Sequence, residues 1–189
     1  MTIGITGRYC AGKSIASSVF EENGFTVINV DGVGHEALEV KKVEITRVFG
    51  NEILSAGRVD RKKLGGKVFK SPAEKEKLES IVHPWMVGRV KTMARKQKDT
   101  VINAALLIEM GLYRMCDFVM AVDIGDATAL ERGMSRDCLS KEEAARRIRA
   151  QIPLKEKLDF VDKVIDNNGD IKDFKKRVEQ IIKTIRSKV

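Results

Sequence analysis

The run Gly7-Arg8-Tyr9-Cys10-Ala11-Gly12-Lys13-Ser14 constrains this chain more than any other feature. Its spacing, G-x-x-x-x-G-K-S, is that of a phosphate-binding loop, and each part has a physical job. Gly7 and Gly12 permit backbone angles that a Cβ would block, so successive N–H groups can turn inward on an anion. Lys13 brings a flexible point charge to the β- and γ-phosphates of a nucleotide. The Ser14 hydroxyl is a ligand for Mg²⁺, and Cys10, Ala11 and Ile15 complete the cradle. The loop works only between a strand and a helix. Ile3–Thr6 is a short apolar run suited to a buried strand, and Ile15 to Glu22 reads as the helix whose positive end faces the polyphosphate.

Composition narrows the setting. The chain has 189 residues, 43% of them hydrophobic, enough for one buried core with insertions. No apolar run approaches the roughly 20 residues that span a bilayer, so no membrane segment is expected. The first strand runs straight into the phosphate loop, so no signal peptide is expected either. Three cysteines, at 10, 116 and 138, have no metal-ligand spacing and suggest a reducing, cytoplasmic setting. Cys10, beside Lys13 and a helix N-terminus, reads either as an acidified thiol or as a small residue that fits. A net charge of +8 suits nucleic acid or a small polyanion. Aromatics are only 5%, too few for a base-stacking platform, and the basic residues are interleaved with Glu. A small anionic substrate is therefore expected and nucleic acid is not. The oligomeric state stays open, a monomer included.

Short apolar runs at Ile3–Thr6, Thr26–Val30, Thr100–Ile108, Phe118–Asp123 and Lys163–Asp166 alternate with helical stretches. This predicts an α/β fold with a parallel five-stranded sheet covered by helices on both faces. About seventy residues separate the second and third strands, which calls for an insertion. Within it Ser71-Pro72-Ala73-Glu74 reads as a capped helix start, and His83-Pro84 as a break before a further helix from Trp85 to Lys98. Ser140-Lys141-Glu142-Glu143 is another capping box, inside a second insertion from Asp126 to Gln151. The last helix, Ile171 to Arg186, carries Ile171, Phe174, Val178, Ile181, Ile182 and Ile185 at helical spacing, a core stripe. The expected division is a nucleotide core of 1–31, 99–125 and 152–189, a helical insertion of 32–98 and a lid of 126–151. Asp31 ends the second strand, where open α/β sheets bind ligands. It reads either as a proton acceptor or Mg²⁺ ligand, or as a helix cap.

Several separated motifs, in order, resemble the dephospho-coenzyme A kinase family over nearly the whole chain. They are the phosphate loop, Val27-Ile28-Asn29-Val30-Asp31 on to His35, Phe49-Gly50, Val59-Asp60-Arg61, Val68-Phe69, His83-Pro84, Leu106-Leu107-Ile108-Glu109, and Asp162 to Gly169. Arg132, Arg136 and Gln151 fall where the family's lid places basic and amide groups. The resemblance implies a P-loop kinase fold and ATP-dependent phosphorylation of the ribose 3′-hydroxyl of dephospho-coenzyme A, with Mg²⁺. Phosphoryl transfer needs charge neutralisation and in-line placement more than covalent help. By that resemblance Asp31 accepts the hydroxyl proton, Lys13, Arg132 and Arg136 neutralise the phosphoryl group, and Asn167 and Gly169 lie near adenine. His35, Arg61 and His83, with Asp31, face the acceptor. His35 also reads as a surface partner of Glu36, and His83 as a helix-break residue beside Pro84. Arg146, Arg147 and Arg149 read as a solvated helix face before further lid cations.

The chain departs from the family pattern at several positions. Asn103 and Asn29 stand where Asp is usual, each removing a negative charge from the expected metal site. Ala105 replaces a proline, Ile15 a threonine, and Arg8 and Tyr9 are bulky in the middle of the loop. These departures keep two other readings open, a module that binds ATP or coenzyme A without turnover, and a nucleoside-monophosphate-type kinase with a different acceptor.

Overall fold

The computed structural model describes residues 1–68, 71–149 and 151–187. Phe69, half of the Val68-Phe69 motif, lies outside them. The chain divides into two units, one of Met1–Ile28 with Gln97–Val189 and the other of Asn29–Lys96.

The first unit holds a parallel five-stranded sheet in the order β2-β5-β1-β6-β7. Its strands are β1 (Thr2–Gly7), β2 (Thr26–Asn29, its last residue the first of the other unit), β5 (Thr100–Asn103), β6 (Phe118–Asp123) and β7 (Lys163–Asp166). Central β1 pairs Ile5 with Asn103 on one side and Gly7 with Val122 on the other. Ile3 and Ile5 share one face of β1 and are fully buried, while Leu107 and Cys116 press on Gly4 at the opposite face, which is why the strand reads as an unbroken apolar run. One covering layer is α1 (Lys13–Glu22), which brings Ala16, Val19 and Phe20, with α8 (Ile171–Arg186), which brings Phe174, Val178 and Ile182. Of the expected α8 stripe, Ile171, the first helical residue, is half exposed. Helices α6 (Asp126–Asp137) and α7 (Lys141–Arg149) follow β6. The capping box before α7 forms as expected. Ser140 N donates to Glu143 Oε2 at 3.0 Å, and Glu143 N donates to Ser140 Oγ at 3.2 Å.

Two strands are shorter than their apolar runs. β5 stops at Asn103. The chain then turns on itself through bonds such as Met110 N to Leu106 O, 2.9 Å, and Leu112 N to Leu107 O, 3.0 Å, which bury Leu107 without a sheet. β2 stops at Asn29, whose side chain caps the next helix.

The second unit is mostly helical, with α2 (Val30–Val40), α3 (Lys42–Phe49), α4 (Arg61–Val68) and α5 (Pro72–Ala94). A two-stranded hairpin, β3 (Leu54–Ser55) and β4 (Arg58–Val59), lies among them. It turns at Ala56 and Gly57, both at positive φ (48° and 75°), as a tight two-residue hairpin turn requires. The expected break at His83-Pro84 does not occur. Pro84 sits exposed inside one continuous α5, so its missing N–H leaves a carbonyl to solvent. Val82, Met86, Val90 and Ala94, four residues apart, form a buried stripe that runs past Pro84 and holds both turns to one surface. At the start of α5, Ser71 makes no side-chain cap, and Glu74 pairs with Lys77 at 2.7 Å instead.

Candidate active site

The phosphate loop connects β1 to α1, and its glycines are there for contact as much as for flexibility. At Gly7, φ is 147° and a Cβ would collide with the carbonyl of Val122 on β6. At Gly12, φ is 98° and a Cβ would strike the side-chain amide of Asn167. Between them Cys10 takes φ 58°, which costs a non-glycine residue about 1 kcal/mol or more. The Cys10 side chain is buried in the main apolar cluster beside Ala11. It fills space as a small hydrophobe.

Lys13 Nζ donates to the carbonyls of Gly7 and Arg8 at 3.1 and 3.0 Å, which holds the ammonium over the loop's own backbone. Ser14 is exposed on the first turn of α1, with Ile15 half-buried behind it. The first-turn N–H groups, Lys13 to Ile15, have no acceptor within their helix. They add to the positive end of the helix dipole, so the loop forms an anion site from backbone alone.

The surroundings brace the loop. Asn167, fully buried at the end of β7, donates Nδ2 to the carbonyl of Ala11 at 2.7 Å. A side chain with no exposed surface offers nothing to an adenine ring, so Asn167 acts on the loop from beneath. Its own carbonyl accepts Arg132 Nη2 at 2.9 Å. Gly169 is exposed, and a Cβ there would meet nothing within 4 Å. Gln151 Oε1 accepts the N–H of Tyr9 at 2.7 Å. Arg8 donates to the carbonyl of Ile124 at 3.0 Å and ion-pairs with Asp126. Lys157, buried, pairs with Glu109 at 2.7 Å and donates to Ala105 O at 3.2 Å, which ties the Leu106–Glu109 turn to the core.

A charged cluster stands on Tyr9. Its hydroxyl donates to the carboxylate of Asp137. Asp137 also takes Arg136 Nε at 2.7 Å and Arg147 Nη1 at 2.8 Å. The guanidinium carbons of Arg136 and Arg147 lie 5.2 and 5.7 Å from the centre of the Tyr9 ring. Arg147 is therefore part of this cluster and not merely a solvated helix face. Burial first, then the bond to Asp137, pushes the Tyr9 phenol up to about 12. The Arg136 hydrogen bond, followed by that of Tyr9, holds Asp137 down at about 2. The same bond raises Arg136.

In the second unit Asp31 is exposed on the first turn of α2, and its N–H donates to Asn29 Oδ1 at 3.0 Å. Asn29 is thus the helix cap. Arg61 Nη1 lies 2.7 Å from His35 Nε2, so two of the expected acceptor-side residues touch each other. Glu36 pairs with Arg89 at 3.2 Å instead of with His35. His83 is half-buried on α5. Sequence reasoning missed Asp137 altogether. Its only forewarning was the bulk of Arg8 and Tyr9 in a loop of small residues, which implied partners without naming them.

The family model for dephospho-CoA kinase matches residues 1–173. The chain belongs to the dephospho-CoA kinase family. A dephospho-CoA kinase from Fusobacterium nucleatum is 37% identical over 190 residues, 98% of each chain. A solved structure from Thermus thermophilus superposes with a TM-score of 0.84 at 29% identity, covering 100% of this chain and 97% of that one. A dephospho-CoA kinase from Campylobacter jejuni superposes with a TM-score of 0.64 at 26% identity, covering 97% and 96%. As a member of this family the chain is a P-loop kinase, with ATP as its phosphoryl donor. The donor set also fits Mg²⁺ held mainly by phosphate. No group of three or more His, Cys, Asp or Glu that could hold a metal occurs among the described residues. Mg²⁺ commonly takes one or two protein oxygens, with substrate phosphates and waters completing its shell. The exposed Ser14 hydroxyl would supply such an oxygen.

Proposed function

We propose that this chain transfers the γ-phosphoryl group of ATP to the ribose 3′-hydroxyl of dephospho-coenzyme A, giving coenzyme A and ADP, the last step of coenzyme A biosynthesis. The observation that carries the reading is the fully formed phosphate loop, with Gly7, Cys10 and Gly12 at positive φ and Lys13 held over it, in a chain of this family.

The roles follow from the chemistry. Lys13 and the loop amides bind the β- and γ-phosphates, with Gly7, Cys10, Ala11, Gly12 and Ile15 shaping the cradle. Ser14 would hold Mg²⁺, which would neutralise phosphate charge. Asp31 accepts the proton of the 3′-hydroxyl as that oxygen bonds to the γ-phosphorus and the bond to the β,γ-bridging oxygen breaks. Arg132 and Arg136 stabilise charge on the phosphoryl oxygens in transit. His35, Arg61 and His83 hold the acceptor, and the backbone from Asn167 to Gly169 borders adenine. Residues 32–98 then serve as the acceptor-binding insertion and 126–151 as the lid. The free thiols of Cys10, Cys116 and Cys138 support a cytoplasmic setting. No helix among the described residues is long and apolar enough to cross a membrane.

The binding-only reading loses half of its support. Asn29 replaces an aspartate, but its side chain caps α2, a task Asn performs as well as Asp. A coupled ADP-release assay with a panel of acceptors tests the proposal. Turnover confined to dephospho-coenzyme A is the expected result. Turnover with a nucleoside monophosphate alone, or ATP binding with no ADP release, would overturn it.

A further inference from the structure

The bulk of Arg8 and Tyr9 in the phosphate loop has a counterpart elsewhere in the fold. Arg8 reaches Ile124 O and Asp126 at the start of α6. Tyr9 reaches the end of that helix at Asp137, and its ring lies under cations from both α6 and α7. Gly133, on α6, is where the ring passes, and a Cβ there would stand 2.7 Å from Tyr9 Cε1. The loop is therefore a post to which the α6–α7 pair is fastened at both ends of α6. Asp137 is the fastening point for the cations, since one carboxylate accepts Tyr9, Arg136 and Arg147. Across neutral pH the phenol remains a donor and the carboxylate an acceptor, so the contact does not titrate away.

We propose that Tyr9 is a positioning residue that, through Asp137, fixes the guanidinium groups of Arg136 and Arg147 beside the phosphate loop before ATP arrives. A flexible arginine must be ordered in the transition state, and one already ordered loses less freedom at that moment. The inference rests on the reading that Arg136 acts on the phosphoryl group in transit.

The unmutated enzyme is assayed first with ATP and dephospho-coenzyme A; absence of turnover there defeats the functional reading itself. Given turnover, Tyr9→Phe keeps the ring and removes the hydroxyl. The expected result is a fall in kcat of about tenfold, with KM for dephospho-coenzyme A and the melting temperature little changed. Asp137→Asn weakens the same contact from the other side and should give a similar fall, with no further loss in the double variant. Gly133→Ala pushes on the ring, so it should lower kcat when Tyr9 is present and have no such effect in a Tyr9→Ala background. An unchanged kcat in Tyr9→Phe, or a Gly133→Ala effect of equal size in both backgrounds, would overturn the proposal. So would losses that only track a lowered melting temperature, because those describe a loop filler.

Discussion

Asn167 and Ala11 are 156 residues apart in sequence, yet the buried amide of one donates to the carbonyl of the other at 2.7 Å. The contact sets the height of the phosphate loop above the sheet. Because the Asn167 carbonyl accepts Arg132, it also connects the loop to a cation on α6. The remaining side-chain oxygen of Asn167 is buried with no hydrogen-bond partner among the described residues, so the bond to Ala11 is what the buried amide contributes.

Asn167→Ala should strand the Ala11 carbonyl and lower stability by roughly 1–3 kcal/mol, the cost of a buried group left unpaired. ATP affinity should fall with it, because the loop relaxes. Chemical denaturation and ATP titration on the same variant check this, and an unchanged denaturation midpoint would remove the bracing role.

Lys13→Ala should cut transfer by roughly 10²–10³-fold, a barrier increase of about 3–4 kcal/mol, typical of losing a preorganised electrostatic group. The protein should stay folded, since Lys13, the half-buried first residue of α1, is not part of the buried apolar cluster. Turnover near normal with an unaltered melting curve would exclude the loop as the phosphoryl site.

Asp31→Asn should cut kcat far more than it weakens ATP binding, because proton acceptance develops mainly in the transition state. Helix α2 should survive, as its cap comes from Asn29. Equal losses in ATP affinity and kcat would make Asp31 a ground-state ligand instead.

Asn103→Asp should lower the Mg²⁺ concentration for half-maximal rate, and the effect should shrink at saturating Mg²⁺. Asn103 is only 7% exposed at the end of β5, so the new charge should also lower the melting temperature in the absence of Mg²⁺. A drop in melting temperature with no change in Mg²⁺ dependence would place Asn103 outside the metal site.

Asp137 gives a pH signature. Its folded-state pKa, about 2, lies below the ordinary value of 3.8, so the unfolded chain takes up its proton first as pH falls. Its contribution is therefore present in full above about pH 4 and is lost between there and pH 2. Asp137→Asn should be less stable than the parent at neutral pH, and the difference should close over that window. A difference independent of pH from 7 to 2 would mean that the carboxylate charge is not what holds Arg136 and Arg147.

The phosphate loop was legible because its information is local. Gly7, Gly12, Lys13 and Ser14 sit within eight residues, and backbone angles depend on the residues that adopt them. The five strands were legible as apolar runs, and α8 as a periodic stripe. Local reading failed where a local signal was outweighed. His83-Pro84 resembles a helix break, but the buried stripe from Val82 to Ala94 outweighs one missing hydrogen bond. Thr100 to Ile108 resembles one strand, but the chain turns after Asn103 and buries Leu107 by another route.

By itself, the sequence determined the α/β class, the phosphate loop and, through motifs in order, the family. Each of these depends on residue type at fixed spacing along the chain. Only the tertiary structure decided that Asn167 serves the loop from beneath, that Asn29 is a helix cap, and that Tyr9 meets Asp137 across 128 residues. An aspartate near the end of a charged helix looks the same whether it faces water or a tyrosine. Its partner is chosen by the packing of α6 against the loop, and that packing has no period or spacing to read.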